Sequence, residues 1–194
     1  MSSLRHSPEE APRADPREDA YLDAARACIL DVGWRRTTLT EIARRAGVSR
    51  MTIYRAWSDM SQLLGDLMTR EWAGVVAASH GGTLMETVLA TVRALRENEL
   101  FVRIVELDPE LLLPYLLNRR GRSQEAVIAL MEQAIVDGQQ AGTIRRCNPQ
   151  VIARALLLAA HGFVLSAHTM VDDDVTEADL EAELRTLVER ALAP

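Results

Sequence analysis

The chain has no lysine: every one of its 22 basic residues is an arginine, which suits the codon usage of a GC-rich bacterial genome and says nothing about mechanism. Aromatic residues make up only 4%, and no segment alternates β-branched side chains, which argues against an all-β fold. There are 2 cysteines, Cys28 and Cys147, and neither has a histidine or cysteine at ligand spacing. Both are expected reduced and unpaired, with no metal site. The 4 histidines (His6, His80, His161, His168) form no HExxH pattern, and acids such as Asp172, Asp173 and Asp174 gather in turns, so no catalytic residue and no cofactor is expected. No apolar run approaches the ~18 residues of a membrane span. The N-terminus carries Pro, Glu and Arg where a secretory leader would have a basic start and an apolar stretch. A cytoplasmic protein that is not an enzyme and meets no membrane is the expectation.

What is present is helix. At 48% hydrophobic, 194 residues can bury a proper core. Residues 1–14 are Pro- and charge-rich without an apolar period, and are expected to be a disordered tail whose Arg5 and Arg13 are solvated. Asp15-Pro16 then reads as an N-cap followed by proline in the first helical turn, and Ala25, Cys28, Ile29 and Val32 make a buried stripe that Gly33 ends. Trp34 is expected to fill the core beneath that helix.

The chain is organised around Thr38 to Met60. A short helix, about Thr40 to Ala46, is opened by Thr38 with Glu41 three residues on, the spacing of a capping box. Gly47 supplies a corner that needs positive φ, and Ser49 caps a second helix from Arg50 to Ala56. Ala43, Gly47 and Ile53 sit at the offsets of a helix-turn-helix: a small residue at the crossing, a glycine at the turn, an aliphatic lock. Between Gly33 and Ser58 six arginines (Arg35, Arg36, Arg44, Arg45, Arg50, Arg55) face one acid, Glu41, a balance of +5 in a chain whose net charge is −6. Positive charge gathered on one small motif points it at phosphate.

Beyond the motif, Ser58 is expected to cap a long helix through about Ala78, and Gly81-Gly82 to break the chain. Thr83 with Glu86 forms another capping box for a fifth helix, to about Glu97. Glu99 to Leu107 follows, then Asp108-Pro109 to Leu117 with Asp108 as cap, and then a solvated connection carrying Arg119, Arg120 and Arg122. Ser123 to Ala141 repeats Val127, Leu130, Met131, Ala134 and Ile135 at helical spacing. Asn148-Pro149 opens a helix to about Met170 whose face of Val151, Ala155, Leu158, Gly162 and Leu165 is a seam for a partner helix. The last helix, capped by Thr176 with Asp179, carries a second stripe of Leu180, Leu184, Leu187 and Ala191.

Gly33-Trp34, Thr37-Thr38, Ile42-Ala43, Ala46-Gly47-Val48-Ser49, Tyr54 and Trp57 followed by Leu63 resemble the N-terminal signature of the tetracycline-repressor-like (TetR) transcriptional regulators. Trp57 stands where that family commonly has Phe or Tyr, and Met60 where it commonly has a lysine that touches a DNA phosphate, so one backbone contact is in doubt. The resemblance implies an all-α chain: a helix-turn-helix DNA-binding domain over 15–57, with three helices, and a larger helical ligand-binding and dimerisation domain over 58–194.

It further implies a repressor that binds a palindromic operator in double-stranded DNA as a homodimer. Arg50, Met51, Thr52, Tyr54 and Arg55 would then enter the major groove, with Thr38, Thr40, Arg44 and Arg45 set against phosphates. The C-terminal stripes, Val151, Ala155, Leu158, Gly162 and Leu165 with Leu180, Leu184 and Leu187, match the place where the family dimerises. A small-molecule effector inside the body is implied too, for which Met68, Trp72, Met85, Phe101, Tyr115, Met131, His161 and Phe163 are candidate contacts. Their methionines and aromatics favour an apolar or amphipathic effector. The competing reading is a helical ligand- or protein-binding module that has lost specific DNA binding, to which Met60 is the sequence hint.

Overall fold

A computed structural model describes residues 16–79 and 82–194. The tail, with Arg5 and Arg13, the Asp15 cap, and Gly81 of the Gly-Gly break lie outside the described residues. Among those described there are ten α-helices and no strand: α1 (Pro16–Val32), α2 (Leu39–Arg45), α3 (Arg50–Ala56), α4 (Met60–Ala78), α5 (Leu84–Arg96), α6 (Glu99–Leu107), α7 (Leu113–Leu117), α8 (Arg122–Gln140), α9 (Pro149–Ser166) and α10 (Glu177–Leu192). Short 3₁₀ turns stand at Trp34–Arg36, Pro109–Leu111 and Ala167–Met170.

The helices begin where side chains can accept the orphan N–H groups of a first turn. Thr83 and Glu86 close a reciprocal box at α5, as do Thr176 and Asp179 at α10. At α2 the box is half-made: Thr38 accepts from the Glu41 N–H, but the Glu41 carboxylate turns to Arg44. Ser58 does not cap α4. Asp59 does, accepting from the Gln62 N–H at 2.8 Å, while Ser58 donates through its N–H to the Gln62 side chain. Asp108 likewise does not spend its side chain as a cap, and the stretch from Pro109 to Leu117 is divided into a 3₁₀ turn and the short α7. α8 starts at Arg122, where the Gln124 side chain accepts from the Gly121 N–H at 2.8 Å.

Two apolar cores result. The first joins Ala25, Cys28 and Ile29 of α1 to Ile42, Ala43 and Ile53, and runs on past Trp57 into Leu63, Leu64 and Leu67 of α4 and Leu100 and Ile104 of α6. Two expectations are corrected here: Val32 is exposed, its place on the buried side of α1 taken by Leu22, and Trp34 is only half-buried, packed against the core's edge. The second core lies among α5, α8, α9 and α10, around Val92, Ile128, Met131, Ile135, Leu156 and Val188. Ile128 takes the inward position on α8, and Leu130 is exposed. The backbone N–H and guanidinium of Arg145 donate to the carbonyls of Leu192 and Ala191, tying the end of α10 to the turn before α9.

The expected C-terminal seam divides along α9 and α10. Val151 and Leu158 are 60% and 71% exposed, and Ala155 and Gly162 lie on the same open face. Leu187 is exposed too, but Leu184 is 1% exposed and belongs to the second core. It cannot reach a second chain. At 3.6 residues per turn, positions three apart point about 60° apart around the helix, enough to turn Leu184 towards Leu89 and Val92 of α5 while Leu187 stays outside. Contrary to the expectation that no apolar run is long enough, Pro149–Met170 is by length and mean composition apolar enough to cross a membrane. Arg154 interrupts it, and Ile152, Ala153 and Leu156 are buried within the protomer.

Candidate nucleic-acid interface and the cavity behind it

Thr38 to Trp57 folds as two short helices around one glycine. Gly47 has φ +67°, and the Val48 N–H behind it reaches the Ala43 carbonyl at 3.0 Å, so the corner closes on the helix that precedes it. Ser49 caps α3 by accepting from the Thr52 N–H, and its hydroxyl lies 2.9 Å from the Thr52 hydroxyl. Ile53 is 0% exposed and holds α3 onto α2. One anchored residue therefore fixes which face of α3 looks out: Met51 is 64% and Tyr54 48% exposed, beside Arg50 and Arg55.

The arginines fall into two groups. Arg44 is paired to Glu41 at 2.5 Å, and Arg45 to Asp31 on α1. The hydrogen bond from Arg44 lowers the Glu41 pKa below the ordinary carboxylate value and raises that of Arg44 in turn. Arg36, Arg50 and Arg55 are exposed and make no ion pair among the described residues. Arg36 was not among the expected contacts, although it stands two residues before the exposed Thr38 and Thr40. Its signal was only the local charge count. Met60, in the first turn of α4, packs against the first core, and the helix start that a phosphate-binding lysine would serve carries the Asp59 carboxylate.

Arg26 of α1 pairs with Glu71 and Glu99, Arg70 of α4 pairs with Asp23, and two further polar links join this head to the body near the motif. Trp57, the C-cap of α3, donates through Nε1 to Asp66 of α4 at 2.8 Å, and the same carboxylate is paired with Arg122 at the start of α8. At the other corner buried Asp108 accepts from the Trp34 N–H at 3.0 Å and pairs with Arg35 at 3.2 Å, while Glu110 pairs with Arg35 at 2.5 Å.

Behind the head, α4, α5, α8 and α9 enclose a cavity of about 560 Å³, within the usual size of small-molecule sites. Met68, Trp72, Phe101, Tyr115, Met131 and His161 line it. Met85 and Phe163 do not: both pack against the second core, Phe163 beside Leu184. The turn before α7 closes one side with Leu111 and Leu112, which sequence reasoning missed because the irregular backbone there hides their periodicity. His161 meets the Gln124 side chain at 3.5 Å, and burial pushes its pKa below the ordinary 6.5, so the imidazole is neutral near pH 7. Among the described residues no three of His, Cys, Asp and Glu are grouped as a metal site.

Comparison with known proteins agrees with this layout. Residues 22–67 match the family profile described as bacterial regulatory proteins, tetR family. The chain is 33% identical over 168 residues to an uncharacterised HTH-type transcriptional regulator of Mycobacterium tuberculosis, covering 84% of this chain and 87% of the relative. Among solved structures it is similar to the fatty acid degradation regulator FadR of Bacillus halodurans (TM-score 0.63, 18% identity, 91% of this chain and 96% of the other). It is similar also to the R. erythropolis transcriptional repressor QsdR (TM-score 0.61, 17% identity, 94% and 98%). At such identities the structures speak to the fold alone.

Proposed function

The chain belongs to the tetR family of bacterial regulatory proteins and is a DNA-binding transcriptional regulator; from that premise we propose a cytoplasmic repressor that grips a palindromic operator as a homodimer and lets go when a small molecule fills its cavity. The observation that carries the reading is α3: Ile53 is locked inward, so Arg50, Met51, Tyr54 and Arg55 stand outward together. In the major groove Arg50 and Arg55 reach guanine edges or phosphates, Met51 and Thr52 meet thymine methyls, and Tyr54 donates to the backbone. Thr38, Thr40, Arg44 and Arg45 hold α2 against phosphates, and Arg36 joins them.

A second copy packs on the open face of α9, where Val151, Ala155, Leu158 and Gly162 with Leu165 let two backbones approach, flanked by Leu180 and Leu187 of α10. Twofold pairing sets the two heads one helical turn apart, about 34–36 Å. An apolar or amphipathic effector between Met68, Trp72, Phe101, Tyr115, Met131 and His161 displaces α4 and with it the spacing of the heads; it needs only a different affinity for the two spacings.

The test is selection of genomic fragments at moderate salt followed by footprinting. The expected result is one protected palindrome, lost with Arg50→Ala and with Tyr54→Ala. Retention of no fragment, or of all fragments alike, would count against the proposal.

A further inference from the structure

We infer that the cavity takes an amphipathic anion, its apolar body against the α4, α5 and α8 walls and its single acid head at the guanidiniums of Arg119 and Arg122. The inference rests on the cavity being a ligand site. Its support is the sign of the charge around the opening. The chain carries 28 acids against 22 basic residues, yet the residues lining the cavity include Arg119, Arg120 and Arg122 and no aspartate or glutamate. The nearest acids, Glu125 and Asp66, sit beside Arg120 and Arg122 and are not among the residues that line the cavity.

The three arginines are not equally free. Arg120 has Glu125 at 3.9 Å, and Arg122 is held by Asp66. Arg119 lies over the Tyr115 ring, 5.2 Å from its centre, with no ion pair among the described residues. Tyr115 is itself part of the cavity wall, so the stacked guanidinium is fixed at the rim with its N–H fork unspent. Deeper in, the polar groups are uncharged: Thr69, Thr87 and Thr91, with Gln124 and His161 already facing each other. The wall between is Leu64, Met68, Trp72, Val88, Phe101 and Met131. A charged head is therefore accommodated at the rim and nowhere deeper, and a guanidinium fork matches a carboxylate, or another planar or tetrahedral oxyanion, better than it matches a hydroxyl.

The same geometry says how such a head is felt. Arg122 meets Asp66 through one guanidinium nitrogen, so an anionic head on its remaining N–H groups draws on the same charge and weakens the pair, and Asp66 accepts the Trp57 indole N–H at the end of α3. The ligand head and the reading head thus compete for one arginine.

The three-way comparison is dodecanoate, dodecan-1-ol and dodecyltrimethylammonium, each below its micellar concentration, titrated into the full chain while following tryptophan emission. Of the 3 tryptophans only Trp72 lines the cavity, and Trp72→Phe assigns the signal. Dodecanoate should bind at least about tenfold more tightly than the alcohol, with the cation weakest. Arg119→Gln and Arg122→Gln should each lower dodecanoate affinity about tenfold while leaving the alcohol unchanged, and Asp66→Asn should raise it. Equal binding of acid and alcohol, or preference for the cation, would overturn the anionic head and leave the ligand site standing. Silence of Trp72 to all three probes would overturn both.

Discussion

In the head, Ile29, Ile42 and Ile53 are fully enclosed, with Ala25 and Ala43 buried beside them; in the body, Met68, Trp72 and Val127 are half-buried because one side of each faces a cavity. The difference lies in what each region must preserve. A helix that reads a groove has to keep the geometry of a few side chains, and close packing with full burial resists local distortion. On the function proposed above, a body that answers to ligand needs room and a wall that tolerates being filled. The two regions are nevertheless one structure at α4 and α6, which contribute Leu67 and Ile104 to the first core while Leu64 and Ile104 also border the cavity. Strain at the wall is one side chain away from the head.

The sharpest way to break this contrast is paired truncation. Ile42→Ala should cost about 3 kcal/mol in urea unfolding, since the enclosed site can collapse only partly; Val127→Ala, at a wall already open on one side, should cost about 1 kcal/mol or less. Similar losses would mean that the body is packed as tightly as the head. Overpacking should separate the regions in the opposite sense. Ala43→Leu, placed where α2 and α3 cross, should lower stability by about 2 kcal/mol. Ala160→Leu, which points at the cavity, should leave the thermal midpoint within about 3 °C and weaken ligand uptake. A large loss from the second would refute the idea of spare room.

The smallest effect expected is electrostatic. His161 has its folded pKa lowered by burial, so below the ordinary 6.5 the unfolded chain binds a proton that the folded one resists. Its contribution is therefore present above 6.5 and is lost progressively as pH falls from there through the lowered folded pKa. Stability measured from about pH 7.5 to 5.5 should slope down more steeply in the native chain than in His161→Gln; parallel curves would place the imidazole in water.

Much of the head could be read from the sequence because its signals are local. Thr38, Ser49 and Gly47 act on backbone within four residues, and Ala43 and Ile53 are fixed by the turn between them. Distance in sequence is where reading stopped. Asp108 looked like a cap beside Pro109, but its carboxylate goes to Trp34, 74 residues away. Leu184 and Leu187 share a stripe on paper, and the packing of α5 and α9 decides which of them is covered. Met85 and Phe163 failed as cavity contacts for the same reason: composition names suitable side chains, while the rotation of a helix decides where each one points. Ser58 was expected to cap α4, and the cap lies one residue on, at Asp59, because its carboxylate accepts from the Gln62 N–H.

The two kinds of arginine on the head have a thermodynamic consequence of their own. Glu41 and Asp31 already act as anions to Arg44 and Arg45, so a DNA phosphate that takes either guanidinium displaces a carboxylate tethered to the protein, where at Arg50 or Arg55 it would displace only mobile ions. Only the cations newly neutralised release counterions to the solvent. The affinity of this head will therefore fall with salt less steeply than six arginines would suggest, and removing the Glu41 carboxylate would steepen the dependence while tightening the grip.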